Sequence, residues 1–547
     1  MEMLKAVFVV CCFVALNFWI LTDAAAKNNI TDAKNKPSGN QTQTSGNQSK
    51  TSQQSSGNQS KTTQSPANKP QPGVPIPSVN PAPQPVESAR EGVHLSLGPD
   101  PFLDRVIMWT YDKKQDTITI KSANPNEFTR TDTVDGQLMN NTYAKHWIMR
   151  YEIQSLKEDQ KYTYEIGGKQ FSFHTWDHHN SIWPEEFLLY GGHINKTSID
   201  AIQIDWNHEH RLKHETELNR YYGMLNLGDW SCSLNPKDYL NYLQDFASQI
   251  PFLTCPGEKD MRNKFNHYKQ IFSQHGVPYG SDQYWYSFDT DYAHFISLTT
   301  EMYFMDGKDM ILAEQLAKSQ YDWLEKDLKK VNKAYEYDGQ RPWVIVFSHR
   351  PIYCSGDRTC IKESETLHII TDLFHEYSVD LVITAQDNFY ERTFPVSNKK
   401  KIGDHYKNPK ATVYVTTSAF SCNKPDSKTV RAAVVKPEWS DVVKRISEIT
   451  YGRLMIHNKT HLFFEERIAK NHTTVDKFWM QQHHRNPFPP TPKINSWIVV
   501  LIVGILITVV SVVVLFMKRK AIAEYITMRK TRKSQTYVNL PEGSFDL

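Results

Sequence analysis

The sequence predicts a multidomain α+β chain: an antiparallel β-sandwich, then a layered α/β domain, then one transmembrane helix near the C-terminus. Three observations predict it. Short alternating strands separated by turn residues run from Gly92 to about Thr175. Apolar strands ending in polar turns alternate with helical stretches from about Ser181 to Ala469. A run of 21 uncharged residues, Trp497 to Met517, follows. With 547 residues, 63 Lys+Arg against 60 Asp+Glu and only 7 Cys, the chain is too long for one small domain, too near neutrality for a nucleic-acid partner and too poor in cysteine for a disulfide-built mini-domain.

The chain opens on Lys5, an apolar stretch from Ala6 to Leu21 and the small residues Ala24-Ala25-Ala26, the layout of a secretory signal peptide over residues 1–26. Residues 27–90 read as a disordered linker. Ser-Gly-Asn-Gln recurs from Ser38, Ser45 and Ser56, and eight prolines fall between Pro66 and Pro85. Such sequence buries too little apolar surface to offset its conformational entropy. Glycosylation sequons begin at Asn29, Asn40, Asn47, Asn58, Asn140, Asn195, Asn458 and Asn471, and none lies beyond the apolar run.

Residues 91–178 are expected to form the sandwich, with strands at Val93–Leu97, Arg105–Thr110, Thr117–Lys121, Trp147–Ile153 and Tyr162–Ile166. In residues 179–482 the predicted strands are Glu186–Gly191, Met224–Asp229, Pro342–His349, Val379–Thr384 and Thr412–Thr417. Helices are predicted at Asp200–Tyr222, Tyr239–Ser248 and Ala313–Ala334. Ligands of α/β folds gather at the carboxyl ends of strands. Those ends carry Gly192-His193, Asp229-Trp230, Glu258-Lys259, His349-Arg350 and Gln386-Asp387-Asn388. His208, His210 and His214 have helical spacing, but Arg211, Lys213 and Glu215 around them read as a solvated face. Tyr284-Trp285-Tyr286, Trp323 and Trp343 read as core aromatics.

Residues 483–496 are a stalk, and 497–517 are long enough as a helix to cross a hydrocarbon core of about 30 Å. The 30-residue tail, 518–547, holds seven Lys and Arg against Glu524, Glu542 and Asp546. The tail is therefore +4 and the rest of the chain −1. Basic residues directly after the span keep this side in the cytosol. The expectation is a single-pass protein of the secretory pathway, at the cell surface or an endolysosomal membrane, with its N-terminus outside the cytosol. Tyr537-Val538-Asn539-Leu540 is similar to tyrosine-based sorting signals, which would make Tyr537 and Leu540 contacts for a clathrin adaptor.

Six ordered segments carry a resemblance: GVHLSLGPDPFLDRVIMWTY, NLGDWSC, PFLTCPGEKD, RPWVIVFSHRPIYCS, VDLVITAQDNFYERTFPV and YGRLMIHNKTHLFFEE. Over about Gly92 to Arg467 the chain resembles the animal-type purple acid phosphatases of the metallophosphoesterase family. The resemblance implies a fibronectin-III-like sandwich followed by an αββα metallophosphoesterase-like domain. It also implies a dinuclear centre of iron with iron, zinc or manganese, whose bridging hydroxide attacks a phosphoryl group. Matched position by position, Asp229 and His349 are retained ligands. The first family Asp is Gly192, the Tyr is Cys232, the Asn is Glu258, and two His are Gln386 and Asn388. Lys259 stands at the family's substrate-facing His, and no catalytic residue is otherwise assigned. Neutral amides are poor substitutes for imidazole around a transition metal.

The implied reading is a degenerate member without cofactor, a pseudoenzyme whose cleft serves binding. The alternative is a membrane-anchored acid phosphatase with a reduced site, one zinc or manganese ion on Asp229, His349, Glu258 and Cys232. The sequence names no ectodomain ligand. Among the extracytosolic cysteines, Cys354 and Cys360 close a short loop and are expected to pair. Cys255 and Cys422 form a possible second pair, which leaves Cys232 as a free thiol or an intermolecular link.

Overall fold

A computed structural model describes residues 90–138, 146–178, 184–192, 221–230, 236–261, 264–338, 341–356, 358–387, 389–420, 436–446, 448–483, 488 and 496–536. The first eight strands are β1 (Glu91–Leu97), β2 (Arg105–Tyr111), β3 (Gln115–Ser122), β4 (Thr129–Asp135), β5 (Gln137–Leu138), β6 (Trp147–Ile153), β7 (Lys161–Ile166) and β8 (Lys169–His174). They form two four-stranded antiparallel sheets, ordered β1-β2-β6-β5 and β4-β3-β7-β8. Alternation dictates this arrangement. In β3, Ile118 and Ile120 point inward while Thr117, Thr119 and Lys121 point out, and the inward residues meet Val93, Leu95, Ile107, Trp109, Tyr162, Tyr164 and Phe173 in one core. The Trp109 indole N–H is not stranded there, because it donates to Asp116 at 3.0 Å.

The second part is built from β9 (Glu185–Gly192), β10 (Tyr221–Leu227), α1 (Pro236–Ala247), β11 (Phe252–Cys255), α2 (Asn266–Ile271), β12 (Tyr286–Asp289), β13 (Ala293–Ser297), α3 (Met310–Asp338) and β14 (Trp343–Phe347). It continues through α4 (Arg358–Leu367), α5 (Thr371–Glu376), β15 (Leu381–Asp387), β16 (Phe389–Thr393), β17 (Val396–Ser397), β18 (Lys400–Lys401), β19 (Val413–Phe420), β20 (Ser440–Arg445), β21 (Thr450–Asn458), β22 (His461–Ile468) and β23 (Thr474–Gln481). Strands β13, β14, β15, β19 and β9 run parallel in that order, and β10 and β11 extend β9 in parallel. Antiparallel β21, β22 and β23 continue the other way from β9. Apolar runs such as Trp343-Val-Ile-Val-Phe347 are buried on both faces, as strands covered on both sides must be.

Two hydrophobic clusters follow from that double burial. Val344 and Val346 face one, with Leu324, Leu328 and Phe374, while Trp343, Ile345 and Phe347 face the other, with Leu381, Leu454 and Phe464. The aromatics Tyr284, Trp285, Tyr286 and Trp343 are buried core residues. Helix α1 also pins the sandwich: Asn241 accepts from the Gly92 N–H at 2.8 Å and Gln244 from the Val93 N–H at 3.0 Å. From the other side, the Tyr164 hydroxyl donates to the Ser248 carbonyl at 2.7 Å.

Most predicted strands fall within a few residues of the observed ones. The helix predicted over Asp200–Tyr222 needs correction at its end, because Tyr221 and Tyr222 are the first residues of β10, paired in parallel with β9. The rest of that stretch, with His208, His210 and His214, lies outside the described residues. Near the C-terminus α6 spans Ser496–Thr536, longer than the predicted span, because good helix formers continue beyond Met517 without Gly or Pro. Side chains of its apolar run are described only from Val503 to Val514. Among the described residues no helix is long and apolar enough to cross a membrane.

Candidate functional site

Three strand ends converge. After β10 the chain turns through Gly228 and Asp229, whose φ angles are 82° and 56°. After β11 it passes Gly257 into a 3₁₀ turn, Glu258–Met261. After β14 it reaches Ser348 and His349. Packing dictates the two glycines. A Cβ on Gly228 would stand 2.7 Å from His349 Nδ1, and one on Gly257 would stand 2.2 Å from the Asp229 nitrogen. Only bare backbone permits this approach.

Hydrogen bonds then fix the retained residues. His349 Nδ1 is 2.7 Å from the Leu227 carbonyl oxygen, to which it donates. Its Nε2 is thereby left facing Asp229 Oδ1 at 3.7 Å. Asp229 Oδ1 accepts the Lys259 backbone N–H at 2.7 Å. Beneath it the buried Asp260 carboxylate accepts from the N–H groups of Asp229, at 3.0 Å, and Gly257, at 2.8 Å. Burial, and then the neighbouring Asp229 charge, push the Asp260 carboxyl well above the ordinary carboxylate range. Burial opposes the imidazolium at His349, but Asp229 and Glu301 outweigh it and hold its pKa above the usual value.

The replaced positions behave differently. Gly192 ends β9 with φ 70°, and its N–H donates to the Gly228 carbonyl at 3.1 Å, so it braces the loop and offers no side-chain donor. Glu258 is drawn to cations of the chain itself, with Lys259 Nζ at 2.6 Å and Arg350 Nη2 at 3.4 Å. Burial works to raise its pKa, and Lys259, Arg350 and His349 overcome that and lower it. Gln386 lies near the end of β15, its backbone in register with Ser418 on β19. Cys232 and Asn388 lie outside the described residues. Asp229 and His349 are therefore brought together, while among the described residues no three His, Cys, Asp or Glu side chains are grouped to hold a metal. Against the ligand set that the resemblance implies, Gly192 supplies no side chain and the residue at 386 is a neutral amide, a poor match to a dinuclear centre.

Arg350, Glu301 and Asp260 do work that the sequence reading did not assign. Arg350 Nε meets Glu301 at 2.8 Å and Nη1 meets Glu363 at 2.7 Å, and its guanidinium lies 4.4 Å above the Phe304 ring. Glu301 is completely buried, and burial raises its pKa. Burial disfavours the Arg350 charge, yet Glu301 and Glu363 raise its pKa further above an already high value. A charged residue directly after a fully apolar strand, as in Phe347-Ser348-His349-Arg350, was the available signal.

The Cys354–Cys360 disulfide is present, with Cα atoms 6.0 Å apart. The pairing of Cys255 with Cys422 is corrected: Cys255 is a free, buried thiol. It ends β11 inside the apolar core, where its Sγ donates to the Asn226 carbonyl at 3.7 Å, and burial pushes its pKa well up. Cys422 lies outside the described residues, as do the sequons at Asn29, Asn40, Asn47, Asn58, Asn140 and Asn195, and Tyr537 and Leu540. Asn458 and Asn471 are described, and both are exposed.

Residues 177–385 match the calcineurin-like phosphoesterase family, the segment that supplies Gly192, Asp229, Glu258 and His349. This segment is a calcineurin-like metallophosphoesterase domain. Human acid phosphatase type 7 is 29% identical over 425 residues, covering 72% of this chain and 91% of its own. The Fe(3+)-Zn(2+) purple acid phosphatase 12 of Arabidopsis thaliana is 23% identical over 428 residues, 72% of this chain and 85% of its own. A solved purple acid phosphatase, PPD1 from yellow lupin (Lupinus luteus) seeds, shares the fold with a TM-score of 0.56 at 17% identity. It covers 72% of this chain and 75% of its own. Over about 70% of its length the chain is similar to purple acid phosphatases.

Proposed function

We propose that this chain is a type I membrane glycoprotein whose metallophosphoesterase-like cleft binds a ligand and does not hydrolyse phosphoesters. In this reading residues 91–178 are a fibronectin-III-like sandwich, 497–517 of α6 form the anchor, and the basic tail meets a clathrin adaptor through Tyr537 and Leu540. The protein would reside at the cell surface or in an endolysosomal membrane. The observation that carries the reading is the cleft's donor set. Gly192 has no side chain to offer, and Glu258 is paired with Lys259 and Arg350, so cations of the protein neutralise a carboxylate that a metal would otherwise use. The anchor is supported by the uncharged run from Trp497 to Met517 within α6 and by the basic residues that follow it.

The test uses the full chain in detergent micelles, with total metal analysis beside turnover of p-nitrophenyl phosphate at acid pH. The expected outcome is metal far below one equivalent, and turnover no higher than that of the Asp229→Asn variant. A full dinuclear load with brisk turnover would overturn the proposal.

A second reading, an acid phosphatase of reduced metal content, is favoured by one observation. His349 donates Nδ1–H to a backbone carbonyl, the support that metal-bound imidazoles usually have. One equivalent of zinc or manganese, lost in the His349→Ala variant together with slow turnover, would establish it. Relatives named acid phosphatases are consistent with this reading.

A further inference from the structure

The solvent face of β21–β23 carries a large aromatic ring left in water. Trp479 is 45% exposed. Its ring lies 4.9 Å from Phe463, 4.9 Å from His457 and 6.4 Å from His461, so four rings form one platform. Full burial of such a side chain is worth roughly 1.5–3 kcal/mol, and the fold forgoes much of that here.

The hairpin joining β21 to β22 closes beside this platform, with Asn458 opposite His461. Asn458-Lys459-Thr460 at its tip is a sequon. The turn engages only half of the Asn458 amide. Oδ1 accepts from the Thr460 N–H at 2.9 Å, the Thr460 hydroxyl at 2.7 Å and the His461 N–H at 2.9 Å. The Asn458 main-chain carbonyl accepts from the buried Trp343 indole at 2.9 Å, which anchors the tip. Among the described residues no hydrogen bond uses Nδ2, the atom that glycosylation modifies. Register places the platform within reach: His461 pairs with Gln481, and Phe463 pairs with Trp479. Two strand spacings across and two residues along put Trp479 roughly 12 Å from Asn458, Cα to Cα.

We propose that Asn458 carries an N-linked glycan whose core sugars lie on the Trp479 ring. The inference rests on the reading that this part of the chain faces away from the cytosol. In the modifying step Asn458 Nδ2 attacks the anomeric carbon of a lipid-pyrophosphate-linked oligosaccharide. A C–N bond forms, the C–O bond to the pyrophosphate breaks, the lipid pyrophosphate leaves and one amide proton is lost to the transferase. The apolar C–H face of an N-acetylglucosamine then covers the indole face, while His457 and His461 offer ring nitrogens at the rim. Asn471 supplies an internal control. It lies in the β22–β23 connection, at the far end of the strand pair from the hairpin tip.

The experiment is site-by-site glycopeptide mass spectrometry on the full chain made in secretory cells, with Trp479→Ser and Trp479→Leu beside it, and thermal unfolding before and after enzymatic deglycosylation. The expected result is an occupied Asn458 whose glycan stays less processed than that at Asn471, and which becomes equally processed in both variants. Deglycosylation should lower the wild-type Tm by about 2 °C and leave the Tm of the variants nearly unchanged. The Leu variant keeps apolar bulk, so altered processing there reflects loss of the ring plane and not misfolding. An unmodified Asn458 with a glycan at Asn471 overturns the proposal and leaves the luminal reading standing. Identical processing in wild type and variants also overturns it. Both sites unmodified would overturn it together with the luminal reading.

Discussion

The two flanks of the cleft are built differently. On the flank of β10, β11 and β14, the loops are tightly braced: two glycines packed face to face, Asp260 gathering two backbone N–H groups, and His349 held on the Leu227 carbonyl. On the flank of β9 and β15, the strand ends carry Gly192, which has no side chain, and the neutral amide Gln386. The difference separates two kinds of constraint. The loop contacts on the first flank are folding contacts, and the chain keeps them whatever the site does. Donors are constrained only by what they bind.

The largest test of that separation is Arg350→Ala. It would leave Glu301 buried without its partner, and breaking a buried pair costs about 3–5 kcal/mol. Urea unfolding measures the loss, and adding Glu301→Gln should recover a large part of it. Full stability in the single variant would show that Arg350 is not what holds this flank.

Next in size is Gly257→Ala, which drives a methyl against the Asp229 backbone nitrogen. Overpacking of this kind costs roughly 1–3 kcal/mol, and a backbone neighbour puts it at the upper end. Gly192→Ala, which carries the strain of its positive φ, should cost roughly 1–2 kcal/mol. Equal losses by thermal unfolding would erase the contrast between the flanks.

A test by pH lies at the other end of β9. Burial pushes the Glu185 carboxyl up to about 8 from 4.5, although Thr290 and the Tyr292 N–H donate to it. A raised folded pKa means the native state holds the proton more tightly. Its contribution is complete below about pH 4.5 and is lost as pH rises through about 8, at up to about 1.4 kcal/mol per pH unit inside that window. Glu185→Gln should flatten stability against pH there, and an unchanged slope would assign the dependence to other groups.

How much of this was legible in the sequence follows the same division. Strands such as Trp343–Phe347 are readable because burial on both faces writes an unbroken apolar run. Alternation did the same for Gln115–Ser122. Asp229, His349 and the altered positions were found because they stand at strand ends in recognisable contexts. Asp260 and Glu301 were not, because a buried carboxylate is specified by partners far away in sequence. Glu301 is read only with Arg350, 49 residues on. Cys255 misled because spacing and an oxidising compartment say nothing about which way a strand-end side chain points, and this one points into the core.

The seam between sandwich and phosphoesterase-like domain has a practical outcome for anyone cutting this chain. Asn241 and Gln244 of α1 serve as partners for the first strand of the sandwich, and Ser96 in turn donates to the Ser273 carbonyl at 2.6 Å. Neither half is a finished surface alone. A fragment that keeps this seam intact begins near residue 90.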